Sequence, residues 1–199
     1  MREETVKFYK YDELSVDAKE NAVKWFHETL NHEFTYENEQ ISETLETALE
    51  NKGYKGFDLN WSLNHCQGDG VAFYGTLFTT ELVKLSERLL SDKDYKRLKA
   101  IAKGEDFSIE INRCNYHYNH YNTMETYLND EHVFGDYPKV WELLQKLESA
   151  VSDDIKEVSR ELEKIGYSEI DYRFTKEYAE QEIENCEYEF TIEGGRISF

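Results

Sequence analysis

Apolar residues recur along the chain with two periods, and the switches between them divide it into elements. Ala18, Ala22, Val23, Phe26 and Leu30 share one face of a 3.6-residue helix, with Ser15 placed to cap its first turn. That helix is predicted to run to about Asn31. Ile41, Leu45 and Leu49 repeat the period and Gly53 stands as a stop, so residues 1–53 read as a helical hairpin. Phe57, Leu59, Trp61 and Leu63 then alternate with Asp58, Asn60 and Ser62, the pattern of a half-buried strand. Val71, Phe73 and Gly75, alternating with Ala72, Tyr74 and Thr76, supply its partner. Gln67-Gly-Asp-Gly70 between them is a turn, because glycine reaches positive φ and Asp bonds back to nearby amides.

Leu82, Leu85 and Leu89, then Tyr95, Leu98 and Ile101, predict two short helices divided near Ser91 and closed by Gly104. Phe107, Ile109 and Ile111 begin a further strand, and a strand from Thr123 to Leu128 completes a second hairpin, with the polar and aromatic run Asn112 to Asn122 at its turn. Pro138 opens the longest helical pattern, carried by Leu144, Leu147, Val151, Ile155, Val158, Leu162 and Ile165 and interrupted at Gly166. Ile170, Phe174, Tyr178 and Ile183 mark one more helix. Tyr188, Phe190 and Ile192 lead into a Glu193-Gly-Gly195 turn between terminal strands. The expected fold class is α+β, an antiparallel sheet of hairpins packed against several helices including one long helix in the C-terminal half. A single domain is expected over residues 1–199, with the helical hairpin at 1–53, the sheet and its inserted helices at 54–130, and the long helix, second helix and terminal strands at 131–199.

Composition narrows the function classes. With 15 Tyr, 11 Phe and 3 Trp in 199 residues, the chain has the material of a packed core, unlike a disordered acidic tail. No stretch approaches the roughly 20 apolar residues that span a bilayer, and the N-terminus lacks a signal-peptide core. Cys66, Cys114 and Cys186 are odd in number and without a CxxC pair, which points to reduced thiols and a cytoplasmic location. A formal charge of −19, from 42 Asp+Glu against 23 Lys+Arg, disfavours direct nucleic-acid binding and favours encounter with a basic protein.

Two polar clusters carry the candidate chemistry. His65, Cys66 and Asp69 lie in or beside the first turn, and Cys114, His117 and His120 in the second polar run. If the hairpins adjoin, these donors suit a divalent metal, although an offset of three puts His117 and His120 on opposite faces of a regular strand. The competing reading is of sheet-end residues hydrogen-bonded to backbone and tyrosines. A nucleophilic pairing of Cys66 with His117 or His120 lacks an orienting third group and an oxyanion hole. Gln67-Gly-Asp-Gly70 is neither a P-loop nor a calcium loop, since a strand follows it and the alternating ligands are missing. Neither a catalytic residue nor a cofactor is assigned. Tyr116, Tyr118 and Tyr121, interleaved with the histidines, suit a protein-binding patch, so His65, Asp69, Tyr116, His117, Tyr118, His120 and Tyr121 form the candidate protein-binding set. The acidic helix faces Glu43, Glu46 and Glu50, and Asp153, Asp154, Glu157 and Glu161, read either as solvated faces or as imitations of phosphate spacing.

Three stretches resemble a family of small proteins carried by phages and other mobile elements, sometimes labelled antitoxin-like. They are Ser62-Leu-Asn-His-Cys-Gln-Gly-Asp-Gly-Val-Ala-Phe-Tyr-Gly75, Tyr116-His-Tyr-Asn-His-Tyr-Asn-Thr-Met124 and Ile183-Glu-Asn-Cys-Glu-Tyr-Glu-Phe-Thr-Ile-Glu-Gly194; Cys66 stands where that family favours Ser. The resemblance implies a mobile-element context. With the charge, it leads to the expectation of a counter-defence protein that binds and inhibits a basic nucleic-acid-processing protein, such as a CRISPR effector, in part as a nucleic-acid mimic. An antitoxin neutralising a basic toxin and a metal-dependent enzyme or binding module are the alternatives.

Overall fold

The structure, a computed structural model, describes residues 7–32, 35–129, 134 and 136–196. It is an α+β fold with two antiparallel sheets and, among the described residues, six α-helices. Two compact units are formed, one by the described residues up to Ile41 and from Ser168 onward, the other by Ser42–Tyr167. No helix of the described residues is long and apolar enough to cross a membrane.

In the first unit, β1 (Tyr9–Lys10) leads through a 3-10 turn (Tyr11–Glu13) into α1 (Val16–His32). The Ser15 hydroxyl accepts the Ala18 N–H at 3.3 Å, as its position in the sequence predicts. Ala18, Ala22, Val23, Phe26 and Leu30 are all buried, packed with Tyr178, Ala179, Ile183 and Phe190. Those partners come from a helix at Lys176–Asn185 and from a strand at Glu189–Phe190 that pairs with β1, Tyr9 opposite Phe190. The sequence places a strand through Phe190 but not its pairing with the N-terminal segment, because the partners lie at opposite ends of the chain.

In the second unit, the latter part of α2 (Thr35–Asn51) buries Leu45 and Leu49, and Gly53, at φ +102, ends the helix with its N–H on the Glu50 carbonyl at 2.9 Å. Four strands follow in spatial order β2 (Asp58–Ser62), β3 (Gly70–Phe78), β4 (Ser108–Arg113) and β5 (Met124–Leu128). β3 pairs with β2 from Gly70 to Tyr74 and with β4 from Gly75 to Phe78. The helices α3 (Thr79–Leu89) and α4 (Asp92–Ile101) connect those two central strands, with the Ser91 hydroxyl capping α4 through the Asp94 N–H. Val71, Ala72 and Phe73 in succession are fully buried, so this part of β3 is covered on both faces and its strand period is hidden.

The long helix α5 spans Pro138–Arg173. Leu144, Leu147, Val151, Ile155, Val158 and Leu162 make its buried stripe, and the Ser159 hydroxyl reaches the Val71 carbonyl of β3 at 2.5 Å. Gly166 does not interrupt it, contrary to expectation. A Cβ there would lie 2.3 Å from Cδ1 of Leu63, so the glycine marks a close approach on a continuous helix and not its end. The break comes at Phe174, and Thr175 caps the next helix, α6 (Lys176–Asn185), by accepting the Tyr178 N–H at 3.2 Å. β6 is the Glu189–Phe190 strand. Ile197 to Phe199, expected to continue a terminal strand, lie outside the described residues.

One acidic face changes meaning. Asp154, grouped by sequence with Asp153, Glu157 and Glu161, is buried, where its carboxylate accepts the Tyr54 hydroxyl and both Arg88 terminal nitrogens, one at 2.7 Å. Burial and that carboxylate push the Tyr54 phenol well above its usual range. Glu161 pairs with Lys52. Asp153 and Glu157 alone of the four remain exposed and outside any ion pair of the described residues. Asp154→Ala is expected to cost about 2–4 kcal/mol, because it strands a buried hydroxyl and removes a bidentate acceptor. Asp153→Ala should stay within about 0.5 kcal/mol. Urea unfolding of both variants checks this, and equal effects would contradict the assignment.

Candidate functional site

The link between β2 and β3 is ordered around one carboxylate. Asp69 accepts the Ser62 hydroxyl at 2.7 Å and the Asn64 and Cys66 N–H groups at 2.6 Å each. Its desolvation would raise the carboxyl pKa, but these donors, led by the Cys66 N–H and helped by nearby His65, hold it below the usual carboxylate value. Gly68 supplies a φ of +92, which side chains avoid. Leu63 points inward against Gly166, while His65 stacks on Tyr167 of α5, ring centroids 4.4 Å apart and 17° from parallel. The His65 N–H also meets the Tyr167 hydroxyl at 3.3 Å.

The link between β4 and β5 is held by an arginine and a 3-10 turn. Arg113, at the end of β4, donates through Nη2 to the Asn119 side-chain oxygen at 2.7 Å and to the Tyr118 carbonyl at 3.3 Å, and its guanidinium lies 5.4 Å from the Tyr116 ring centroid. At the 3-10 turn Tyr121–Thr123, the Thr123 hydroxyl donates to the His120 carbonyl at 2.7 Å and His120 Nδ1 accepts the Asn122 N–H at 3.1 Å. Arg160 of α5 sits over the Tyr121 ring, 3.9 Å from its centroid. The Asn115 side chain accepts the His117 N–H at 2.8 Å.

These two links are joined. The Asn119 N–H donates to the Gly68 carbonyl at 3.0 Å. The Tyr118 ring lies over Gly68 so closely that a Cβ there would be 2.0 Å from Cδ1, and a Cβ on Gly70 would be 2.5 Å from the Asn119 carbonyl oxygen. The glycines of the Gln67-Gly-Asp-Gly70 run therefore serve a loop-to-loop contact as well as a turn. The seven residues singled out by sequence thus belong to one rim, though in different roles. Asp69 is spent inside its loop, His120 and Tyr121 are half-buried, and His65 and His117 are exposed. Tyr116 and Tyr118 are the large exposed apolar surfaces, at 81% and 45%.

The six candidate metal donors, His65, Cys66, Asp69, Cys114, His117 and His120, are not drawn into one centre. Among the described residues no group of three or more His, Cys, Asp or Glu is placed to hold a metal ion. The Cys66 and Cys114 thiols are free and exposed, turned toward the Asn64 and Asn122 carbonyls at 3.5 Å and 3.7 Å. Sequence reasoning missed Arg113, Arg160 and Tyr167, and took Gly166 for a helix interruption. Each acts on a residue far along the chain or through a contact that no local period encodes.

A carboxyl with a lowered folded pKa contributes stability above its unfolded value of about 3.9, and that contribution is lost as pH falls through the folded value. The Asn64 and Cys66 amide resonances of the protein are therefore expected to keep their hydrogen-bonded positions down through pH 3.9 or so and to move only below it, while Asp69→Asn moves them at neutral pH. Titration at the ordinary carboxylate midpoint would contradict the arrangement. In comparisons with known protein families, with curated proteins and with solved structures, the chain matches none.

Proposed function

We propose that this chain is a counter-defence protein that binds and inhibits a basic nucleic-acid-processing protein. The observation that carries the reading is the joined rim. Two loops fastened to each other and to α5 hold Tyr116 and Tyr118 in the open, and tyrosines presented on a fixed frame give large contact area at low entropic cost. The rim itself is built of Tyr, Asn, His and Arg113, so it supplies contacts more than charge. Attraction comes from the rest of the surface, with a formal charge of −19 overall. On α2, Glu43, Glu46 and Glu50 form an exposed row outside any ion pair of the described residues. Such a division assigns encounter rate and partner choice to the acidic surface and dwell time to the tyrosines.

The same physics would serve an antitoxin that neutralises a basic toxin, and the captured protein distinguishes the two. The test is capture from a bacterial lysate by the immobilised chain. A basic nucleic-acid-processing protein is expected, with retention falling as salt is raised through roughly 0.1 to 0.5 M, where screening shortens toward a few ångströms. Tyr116→Ala, which leaves the Tyr118 ring in place over Gly68, should weaken capture by about tenfold or more with the fold unchanged by circular dichroism. Salt-indifferent capture, partners without excess basic charge, or an unaffected Tyr116→Ala variant would each contradict the proposal.

A further inference from the structure

Away from the rim, the first unit carries an aromatic clip. Trp25 on α1 and Tyr188, which precedes β6, meet edge to face with centroids 5.4 Å apart and planes at 85°. Phe190 backs Trp25 at 5.6 Å and 74°. Both rings pack against the core of this unit, so their geometry is set by the fold and not by the side chain that lies against them. Arg196 lies over both rings, its guanidinium carbon 5.0 Å from the Trp25 centroid and 4.3 Å from that of Tyr188.

Arg196 follows a turn in which the Thr191 N–H donates to the Gly195 carbonyl at 2.8 Å and the Gly194 N–H to the Thr191 carbonyl at 2.9 Å. Gly194 is pressed onto α1, since a Cβ there would lie 2.0 Å from the Ala18 carbonyl oxygen. Arg196 itself is exposed and forms no ion pair among the described residues. The chain holds 42 carboxylate side chains against 23 cationic ones. A guanidinium held in the corner of two rings, and in no ion pair of the described residues despite that surplus of carboxylates, marks the rings as the attractive element. Planar guanidinium stacks on such faces better than the compact, strongly hydrated ammonium of lysine.

We propose that Trp25 and Tyr188 form a guanidinium-binding site, filled in this state by Arg196 and able to take instead an exposed arginine of a basic protein. The biological occupant rests on the function proposed above, because it names the side chain such a partner would contribute. The site itself is tested without any partner. An occupant tethered in the same chain lowers the apparent affinity for an incoming ligand by the fraction of time the site is left open, so removing Arg196 should expose the affinity of the rings.

The experiment titrates the full chain and its Arg196→Ala variant with the capped peptide acetyl-Gly-Arg-Gly-amide and with its lysine counterpart, following the Trp25 indole N–H resonance, assigned by its loss in Trp25→Phe. Arg196→Ala is expected to bind the arginine peptide about threefold to tenfold more tightly than the unaltered chain, and the lysine peptide at least about threefold less tightly than the arginine one. Adding Tyr188→Leu to Arg196→Ala should remove the effect. Equal affinity with and without Arg196, equal affinity for the two peptides, or no binding to Arg196→Ala would overturn the proposal. Arg196 is a surface residue, so that comparison decides the matter even if Tyr188→Leu does not fold. Peptide binding without any basic partner in a lysate would leave the clip standing and remove the proposed function. A basic partner with no peptide binding would do the reverse.

Discussion

Leu63 reaches α5 only because position 166 has no side chain. At the end of β2 the chain turns Leu63 inward, to 5% exposure, and its Cδ1 occupies the space where a Cβ of residue 166 would be. This approach sets where the β2–β3 link meets the long helix, and the neighbouring contacts follow from helix geometry. Tyr167, the next residue, falls beneath His65. Arg160, nearly two turns earlier, falls over Tyr121. Ser159 meets the Val71 carbonyl and Asp154 meets Tyr54 and Arg88. A single helix thereby holds both loops of the rim and the interior of the sheet.

The polar interactions divide into two kinds with different weights. Asp154 is buried and shared by a tyrosine and an arginine, so its loss strands other groups and is felt by the whole unit. Asp69 is spent on the three donors of one short loop, and its loss is felt locally. Arg113 does for the second loop what Asp69 does for the first, binding a side-chain oxygen and a carbonyl. What the rim presents for contact is the outer surface of the Tyr116 and Tyr118 rings, which stay exposed although Arg113 lies against the first and Gly68 lies under the second.

Much of the architecture is legible where burial follows a single period. Ala18 to Leu30, Leu82 and Leu85, Ile109 and Ile111, and Leu144 to Leu162 each announce their element because one face of it is covered. Legibility fails where residues far apart in sequence meet. Gly166 reads as a helix stop because glycine is poor in helices, and only the proximity of Leu63 shows why it stands there. Asp154 reads as one more surface carboxylate until Tyr54 and Arg88 are placed beside it. Phe190 is legible as part of a strand, but the pairing of β6 with β1 spans nearly the whole chain, beyond any local signal. The candidate residues draw attention by their chemistry alone, whereas the fastening of Asn119 to Gly68 and of Tyr118 over Gly68 depends on two loops meeting in space.

Leu63 and Gly166 act as a pair, and a double-mutant cycle measures that directly by urea unfolding. Gly166→Ala alone should destabilise by about 1–2 kcal/mol, overpacking outweighing the roughly 1 kcal/mol that alanine adds to a helix. Leu63→Ala alone should cost about 2–4 kcal/mol by leaving a cavity. Together they should cost at least about 1 kcal/mol less than the sum, because the new methyl group enters the space that leucine vacates. Strict additivity, or a Gly166→Ala variant more stable than the parent, would contradict the claim that this contact seats the long helix.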